Sequence, residues 1–319
     1  MFHYDDGIHI TPIGLAVDVR RRQGRGFVSH AHADHMARHA RAFCTPATSA
    51  LYQHRLGRRP VTELPFGEPL CWGDLQLSTA PAGHILGAAM LLVESANGRL
   101  LYTGDFKLRS SSTAAVAEPP AADVLIMEST FGTPRYRLPN REEVVDQLVE
   151  EVEAAWSRDE TPVVYAYATG KAQEVTRLLT SRGISVMQQR MVYAISQVYQ
   201  SVGCDLGSPE LFDPQRLGRH VVIAPPRKQR GAYLELPPRK RTIALTGWAL
   251  DHGAKYKLGV DVALPLSDHA DYDELIECVE RVAPRRVFCT HGPEAFVDDL
   301  RGRGWDAQPL ESQTRQLEM

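Results

Sequence analysis

The densest chemical signal in the sequence lies directly after the apolar pair Phe27-Val28. Four of the twelve histidines fall between residues 30 and 39, and His30, His32 and His35 share one short loop with Asp34. Neutral imidazole and carboxylate groups are the ligands that zinc and similar divalent ions prefer. The alternate residues His30 and His32 can face one ion, while Asp34 and His35 turn toward a second. The loop therefore predicts a metal centre.

This loop resembles the signature of the metallo-β-lactamase superfamily. His84, at the end of Ala80–His84, matches the third motif of that superfamily, and Asp105, after Thr103-Gly104, matches the fourth. Asp18, which follows Leu15–Val17, stands where the superfamily carries an aspartate that orients the site.

The last histidine ligand points to one branch of the superfamily. His291 lies so far beyond Asp105 that a separate domain must be inserted between them. The segments that end at Glu128 and that surround His269 resemble motifs A and B of the β-CASP nucleases, and His291 stands at motif C. The chain is identified as a member of this metallo-β-lactamase-fold β-CASP nuclease family. It is close to ligase-associated DNA exonucleases and prokaryotic mRNA 3′-end processing factor-like proteins.

The resemblance implies two divalent metal ions as cofactors, with Zn²⁺ expected and Mn²⁺ as the alternative. Asp105 would bridge the two ions. The other ligands would divide into two sets: His30, His32 and His84 for one ion, and Asp34, His35 and His291 for the other.

The family also implies a fold and a domain order. We expect an α/β protein: a metallo-β-lactamase αββα sandwich in residues 1–132 and 259–319, with an inserted β-CASP α/β domain in residues 133–258. The hydrophobic pattern points the same way, because short strands in the first third give way to strands that alternate with helices. The clearest helices are predicted at Arg141–Trp156, Tyr272–Val282 and Glu294–Arg301, and a strand at Val221–Ala224.

The implied chemistry is hydrolysis of a phosphodiester bond by a hydroxide that bridges the two metal ions. Asp34, besides binding metal, could accept a proton from the attacking water. His269, held by Glu128, is the candidate to steady the scissile phosphate or to protonate the leaving group.

Single-stranded nucleic acid is the expected substrate, and we expect a DNA exonuclease with DNA ligase or other repair proteins as partners. One alternative is an RNA-processing endo- or exoribonuclease of the same family. From another class, a small-molecule metallohydrolase (a thioesterase or lactonase) is disfavoured by the long insertion. A metal-free binding subunit is disfavoured because every ligand position is filled.

Basic residues that could contact a phosphate backbone stand out locally, although the formal net charge is −3. Taken alone, such a stripe fits a solvated surface equally well. Lys171 opens a predicted helix whose start could hold a phosphate or be an ordinary one. The candidate contacts are Lys107, Arg109, Lys171, Arg227, Lys228, Arg230, Arg239, Lys240 and Arg241.

The composition places the chain among globular proteins, with 43% hydrophobic and 24% charged residues. No apolar run approaches the ~20 residues that span a bilayer, and the first residues do not form a secretory signal. Its five cysteines form no C-x-x-C pair, so they predict neither a disulfide framework nor a zinc knuckle. We therefore expect a cytoplasmic protein that does not associate with membranes.

Overall fold

The computed structural model describes residues 1–226 and 234–310, together with the backbone of residues 315 and 316. The chain divides into two compact units, one formed by Met1–Pro134 with His269–Met319 and the other by Arg135–Asp268. The second unit is thus inserted in the sequence of the first. The sequence placed this insertion at 133–258. The structure extends it to Asp268 because the strand Val262–Leu264 pairs with the strand Lys240–Leu245 of the second unit.

The first unit contains two seven-stranded sheets. In spatial order the first sheet consists of β20 (Arg315–Gln316), β1 (Phe2–Tyr4), β2 (Ile8–Ile10), β3 (Leu15–Val17), β4 (Arg25–Phe27), β5 (Arg41–Cys44) and β6 (Val61–Glu63). The second sheet consists of β19 (Ala307–Pro309), β18 (Arg286–Thr290), β11 (Val124–Glu128), β10 (Gly98–Tyr102), β9 (Ala89–Ser95), β8 (Leu75–Pro81) and β7 (Leu70–Trp72). The helices of this unit are the short 3-10 helix η1 (Thr11–Ile13), α1 (Pro46–Leu56), α6 (Tyr272–Val282) and α7 (Glu294–Gly302).

The two sheets pack face to face, and helices cover their outer faces. Strand β9 illustrates why, because successive side chains of a strand point to opposite sides. Met90 and Leu92 join an apolar cluster with residues of α6 and α7, whereas Leu91 and Val93 join a cluster with residues of the first sheet. Tyr52 of α1 packs on the other side of the first sheet. These layers confirm the predicted αββα sandwich.

The second unit is built on one six-stranded sheet in which every neighbouring pair of strands is parallel. Its spatial order is β14 (Glu210–Leu211), β13 (Val186–Gln188), β15 (Val221–Ala224), β12 (Thr161–Tyr165), β16 (Lys240–Leu245) and β17 (Val262–Leu264). Its helices are α2 (Arg141–Ser157), α3 (Lys171–Thr180), α4 (Arg190–Ser201), the 3-10 helix η2 (Gly247–Leu250) and α5 (Ala254–Leu258). This parallel sheet with helical connections is the α/β insertion that the family resemblance implies.

The helix boundaries follow from local capping. Helix α6 begins at a capping box, in which the Asp271 carboxylate accepts from the Glu274 backbone N–H and the Glu274 carboxylate accepts from the Asp271 backbone N–H. Asn140 caps α2 in a similar way through the Glu142 backbone N–H. Within the described ranges, no helix combines the length and apolar character needed to cross a membrane.

Candidate metal centre

The candidate ligands of the first unit lie where its strands end. Because β10, β11 and β18 are parallel neighbours, their carboxyl ends meet at one edge of the second sheet. At His291 the backbone turns sharply through the left-handed region at φ 57°. In chain order, Asp18 follows β3, His30 follows β4, His84 follows β8, Asp105 follows β10, Glu128 ends β11 and His291 follows β18.

Four side chains of the first unit converge closely enough to hold one cation. His30, His32, His84 and Asp105 each offer a ligand atom within 4.8 Å of the others. The Nε2 atoms of His30 and His84 both lie 3.1 Å from Nδ1 of His32. A single imidazole lone pair cannot accept two hydrogen bonds, so a cation among the three nitrogens resolves the conflict. The spacing is also close to the edge of a zinc tetrahedron, about 3.3 Å for Zn–N bonds of about 2.0–2.1 Å.

Asp105 lies between this group and a second group on the other side. Its Oδ2 is 3.5 Å from His30 Nε2 and 3.4 Å from His35 Nε2. His35 also belongs to a group with Asp18 and His30 whose ligand atoms all lie within 4.8 Å of one another. The donor set, four imidazoles and a shared carboxylate, fits Zn²⁺ or Mn²⁺.

Asp34 and His291 lie beside this second group, although their ligand atoms fall outside the clusters found among the described residues. The Asp34 side chain is exposed, with Oδ2 3.7 Å from Arg20 Nη2. The His291 ring centroid is 6.1 Å from that of His35. Asp34, His35 and His291 line one cavity of about 370 Å³. The structure therefore brings Asp34 and His291 to the border of the cluster rather than into it.

Asp18 is the hydrogen-bond hub behind the histidines. Its carboxylate accepts from the Ser29 backbone N–H at 2.8 Å, the Ser29 hydroxyl at 2.5 Å and the Tyr102 hydroxyl at 2.8 Å. Oδ2 also lies 2.8 Å from His35 Nδ1. The Ser29 oxygen, which donates to Asp18, is 2.9 Å from His30 Nδ1. Asp18 thus favours a proton on Nδ1 of both histidines, directly for His35 and through Ser29 for His30, and leaves both Nε2 atoms available as ligands.

The electrostatics of the cluster reflect burial opposed by close charges. Burial lowers the pKa of His30 well below its usual value, and the neighbouring His35 adds to the effect. Burial also opposes a charge on His35, but the carboxylates of Asp105 and Asp18 outweigh it and raise its pKa. Burial would raise the pKa of Asp105, yet His35 and His269 hold it well below the usual range. Asp105 is therefore a carboxylate at neutral pH.

His269 and Glu128 form a second polar unit at the same edge. His269 Nδ1 lies 2.9 Å and 3.1 Å from the two carboxylate oxygens of Glu128. Glu128 is buried and also accepts from the Phe106 backbone N–H at 3.0 Å and the Thr130 hydroxyl at 2.6 Å. This leaves His269 Nε2 facing the cluster, 4.0 Å from Asp105 Oδ2. Asp105, Glu128 and His269 also satisfy the spacing of a possible metal group.

Sequence comparisons identify proteins that are similar to this chain. Residues 257–308, which include His269 and His291, match the family model described as "Zn-dependent metallo-hydrolase RNA specificity domain". The chain is 38% identical over 320 residues to a protein from Opitutus terrae named "Probable DNA ligase". It is 30% identical over 364 residues to cleavage and polyadenylation specificity factor 73 of Drosophila melanogaster, and 41% identical over 274 residues to endoribonuclease YSH1 of Kluyveromyces lactis. The chain belongs to the β-CASP family of the metallo-β-lactamase fold.

The relatives are longer than this β-CASP chain. The matches cover 99%, 86% and 66% of the chain but only 31%, 53% and 36% of the Opitutus, Drosophila and Kluyveromyces proteins, respectively. A crystal structure of a protein of unknown function from Enterococcus faecalis has the same fold, with a TM-score of 0.63 at 15% identity. That likeness covers 92% of this chain and 80% of the Enterococcus chain.

Three of the basic residues predicted to contact nucleic acid are engaged inside their own units of the β-CASP chain. Lys107 is 3% exposed. Arg109 Nη2 lies 2.7 Å from the buried Asp271 carboxylate at the start of α6. Lys171 is 1% exposed, and its Nζ is 3.5 Å from Glu174 and 3.6 Å from Asp268. Arg109 and Lys171 thus lie beside buried carboxylates, and contact of Lys107, Arg109 and Lys171 with a phosphate backbone stays a prediction.

The described residues of the second predicted stripe have partners within the second unit. Arg239 Nη1 lies 2.9 Å from Asp159, Arg241 Nε pairs with Glu151, and Lys240 Nζ donates to the Pro237 carbonyl. The stripe lies at the amino end of β16, whereas ligands of open parallel sheets bind beyond the carboxyl ends. Arg227, Lys228 and Arg230 fall outside the described residues.

Sequence reasoning missed the residues that support the ligands. Ser29 and Tyr102 both donate to Asp18, and Thr130 donates to Glu128. Ser29 stands directly before His30 and Thr130 two residues after Glu128, so their positions in the sequence offered a signal. Tyr102 offered none, because its partner lies 84 positions away.

Proposed function

We propose that this chain is a divalent-metal-dependent phosphodiesterase that cleaves single-stranded nucleic acid, with DNA as its preferred substrate. The observation that carries the proposal is the convergence of three histidines on the shared carboxylate of Asp105, whose Oδ2 lies 3.5 Å, 3.4 Å and 3.8 Å from the Nε2 atoms of His30, His35 and His84. A carboxylate held in this position between two imidazole groups suits a pair of cations.

The proposed ligands form two sets that share Asp105. His30, His32 and His84 would complete the first set, and His35, with Asp34 and His291, the second. A pair of divalent ions supplies Lewis-acid stabilisation of the charge that develops on phosphoryl oxygens, and it lowers the pKa of water in the site. Asp18 would hold the imidazoles in the tautomers that such ligands require.

The protein's own proton donor is the His269–Glu128 pair. With Nδ1–H directed at the Glu128 carboxylate, the imidazolium form carries its second proton on Nε2, on the side of Asp105. The Glu128 carboxylate fixes this orientation of the ring. His269 is therefore placed to donate to a leaving oxygen or to bind a phosphoryl oxygen. The exposed carboxylate of Asp34 would accept a proton on the opposite side.

Two observations bear on the substrate. The Opitutus protein named "Probable DNA ligase" contains a segment similar to 99% of this chain, which favours DNA as substrate and a DNA ligase as a functional partner. The second candidate is RNA, because the yeast relative is named an endoribonuclease and the matched family model an RNA specificity domain. Exonuclease action stays a prediction from the sequence.

An end-labelled cleavage assay tests the proposal. Single-stranded DNA and RNA of one sequence, each labelled at the 5′ or the 3′ end, would be incubated with Zn²⁺, Mn²⁺ or a chelator. The matched control is Asp34→Ala/His35→Ala. We expect metal-dependent shortening of DNA from one end, absent in the control.

The other outcomes discriminate among the alternatives. Preferential cleavage of RNA would replace the DNA assignment and keep the metal centre. Internal cuts would replace exonuclease with endonuclease action. Hydrolysis of a thioester or lactone without cleavage of either nucleic acid would overturn the proposal in favour of a small-molecule hydrolase.

A further inference from the structure

The strand order of the second unit's sheet reverses between β12 and β16. Strand β12 is followed along the chain by α3 and β13, which lies on the β15 side of it. Strand β16 is followed by η2, α5 and β17, which lies on its other side. In open parallel sheets, ligands bind in the crevice outside the carboxyl ends of the strands at such a reversal. The segments directly after β12 and β16 should therefore line a binding crevice.

Each of these two segments exposes a large aromatic side chain. Tyr167 follows the end of β12 by two residues and is 57% exposed. Trp248 follows the end of β16 by three residues and is 43% exposed. The two strands are paired up to Tyr165 and Ala244, so both aromatic residues leave neighbouring strands at the same edge of the sheet.

Neighbouring side chains hold the Trp248 ring and add positive charge. The Tyr136 ring packs edge-on against it with centroids 5.4 Å apart. The Tyr136 hydroxyl donates to Asp251 at 2.8 Å, and the Arg135 guanidinium carbon lies 4.5 Å from the Tyr136 ring centroid. At the start of η2, the Thr246 hydroxyl accepts from the Trp248 backbone N–H at 3.3 Å. The ring is thus positioned by its surroundings while much of its surface faces solvent.

Helix α5, which packs against η2, continues this surface. Tyr256 is 79% exposed, and Lys255 Nζ lies 5.1 Å from its ring centroid. Asp251 is an acidic group beside this aromatic surface, and Arg135 Nη2, 3.6 Å from Asp251 Oδ1, offsets its charge. Aromatic faces beside basic side chains combine the two features that bind single strands: base stacking and attraction to the backbone.

We infer that Tyr167 and Trp248 form a stacking platform that binds unpaired bases of a single-stranded nucleic acid at the carboxyl edge of the second unit. This inference deepens the proposed function, on which it rests, by naming what the substrate must offer: exposed base faces. A base paired within a duplex keeps its faces stacked on its neighbours, so the platform selects single strands. Because every base has such a face, the platform reads no sequence.

The test compares oligonucleotides with and without bases. We would measure the binding of a fluorescent oligothymidylate of about twelve nucleotides and of an abasic oligomer of equal length. A chelator would be present to prevent metal-dependent cleavage. Stacking of one base on one aromatic ring strengthens binding roughly 5- to 150-fold, so the wild type should prefer oligothymidylate by at least that factor. Trp248→Ala and Tyr167→Ala should each lower the preference by about that factor, and Trp248→Phe should keep it. Phe66→Ala, which removes an exposed aromatic ring of the first unit, is the matched control.

Two results would overturn the inference: equal affinity of the wild type for the two oligomers, or an unchanged preference in both alanine variants that unfold cooperatively like the wild type. Hydrolysis of bis(4-nitrophenyl) phosphate by the metal-loaded wild type tests the proposed function separately, because this small diester has no base. Base-dependent binding without diester hydrolysis would keep the platform and refute the phosphodiesterase. Hydrolysis of the diester without base-dependent binding would refute the platform and keep the phosphodiesterase.

Discussion

Replacing Asp18 with asparagine should weaken the metal centre without changing its shape. The asparagine Oδ1 can still accept from the Ser29 backbone N–H, which lies 2.8 Å from Asp18 Oδ1. In the wild type, Asp18 Oδ2 accepts from the Tyr102 hydroxyl and lies beside His35 Nδ1, each at 2.8 Å. In the variant, the amide nitrogen takes the place of this oxygen. The Tyr102 hydroxyl can rotate to accept a hydrogen bond from this amide. His35 must give up its Nδ1 proton, because the amide nitrogen donates and cannot accept. The proton then moves to Nε2, the atom that faces Asp105.

The size of the effect can be worked out from these contacts. The variant loses a charge-assisted hydrogen bond to His35, worth about 1.5–3 kcal/mol. Partners that orient metal-bound histidines typically contribute 10- to 100-fold in metal affinity, or about 1.4–2.7 kcal/mol. Both estimates predict that Asp18→Asn lowers the affinity for the ion held by His35 by about 10- to 100-fold. The other ion should weaken as well, because Asp18 orients His30 through the Ser29 hydroxyl.

Competition with a chromophoric chelator measures both affinities, and Ser29→Ala is the matched comparison. Ser29→Ala removes the link to His30 and one donor to Asp18 but leaves the contact between Asp18 and His35, so it should weaken mainly the ion held by His30. Asp18→Asn should weaken both, with loss of nuclease activity in proportion to the ion lost. Unchanged affinity for two ions in a folded Asp18→Asn protein would refute the role of Asp18 in setting the tautomers.

Three other variants probe the catalytic pair, the backbone beneath the site and the basic stripe. His269→Ala should retain both ions and lose about 10²- to 10⁴-fold in turnover, whereas loss of one ion by metal analysis would make His269 a ligand. Gly83→Ala should lower the free energy of unfolding by about 2–4 kcal/mol in urea titrations, because φ is 77° and a Cβ would lie 2.0 Å from the Lys107 carbonyl oxygen. Arg239→Glu should leave the salt dependence of oligonucleotide binding unchanged, since Arg239 pairs with Asp159. If the slope of log affinity against log salt concentration falls in magnitude by about 0.7, Arg239 contacts a phosphate.

The sequence predicted the long periodic elements well. Tyr272–Val282 and Val221–Ala224 have the predicted bounds, and α2 extends one residue past the prediction. Helix α6 combines a capping box with a clear apolar face, so its limits are local properties. The strands β5, β6 and β7, of three or four residues each, were not predicted, because such short segments have no measurable alternation and gain their pairing from distant strands. Helix α4 was also missed, although Val192, Ile195 and Tyr199 follow helical spacing.

The order of candidate ligands was readable because each follows a strand and the resemblance supplies its place. The environment of the basic side chains could not be predicted in the same way. Lys171 is buried beside Asp268, and Arg109 pairs with Asp271, each across more than ninety positions of sequence. Whether a basic side chain is solvated or neutralised depends on such distant carboxylates, which composition and spacing do not reveal.

Metal titration coupled to activity tests the proposed two-ion centre most directly. The metal-free protein would be titrated with Zn²⁺ or Mn²⁺ while bound ions per chain and cleavage of a single-stranded oligonucleotide are measured in the same samples. We expect two ions per chain and cleavage that rises only as the second ion binds, since Asp105 serves both ligand sets. Full cleavage with one ion bound, or in excess chelator, would contradict the two-ion centre.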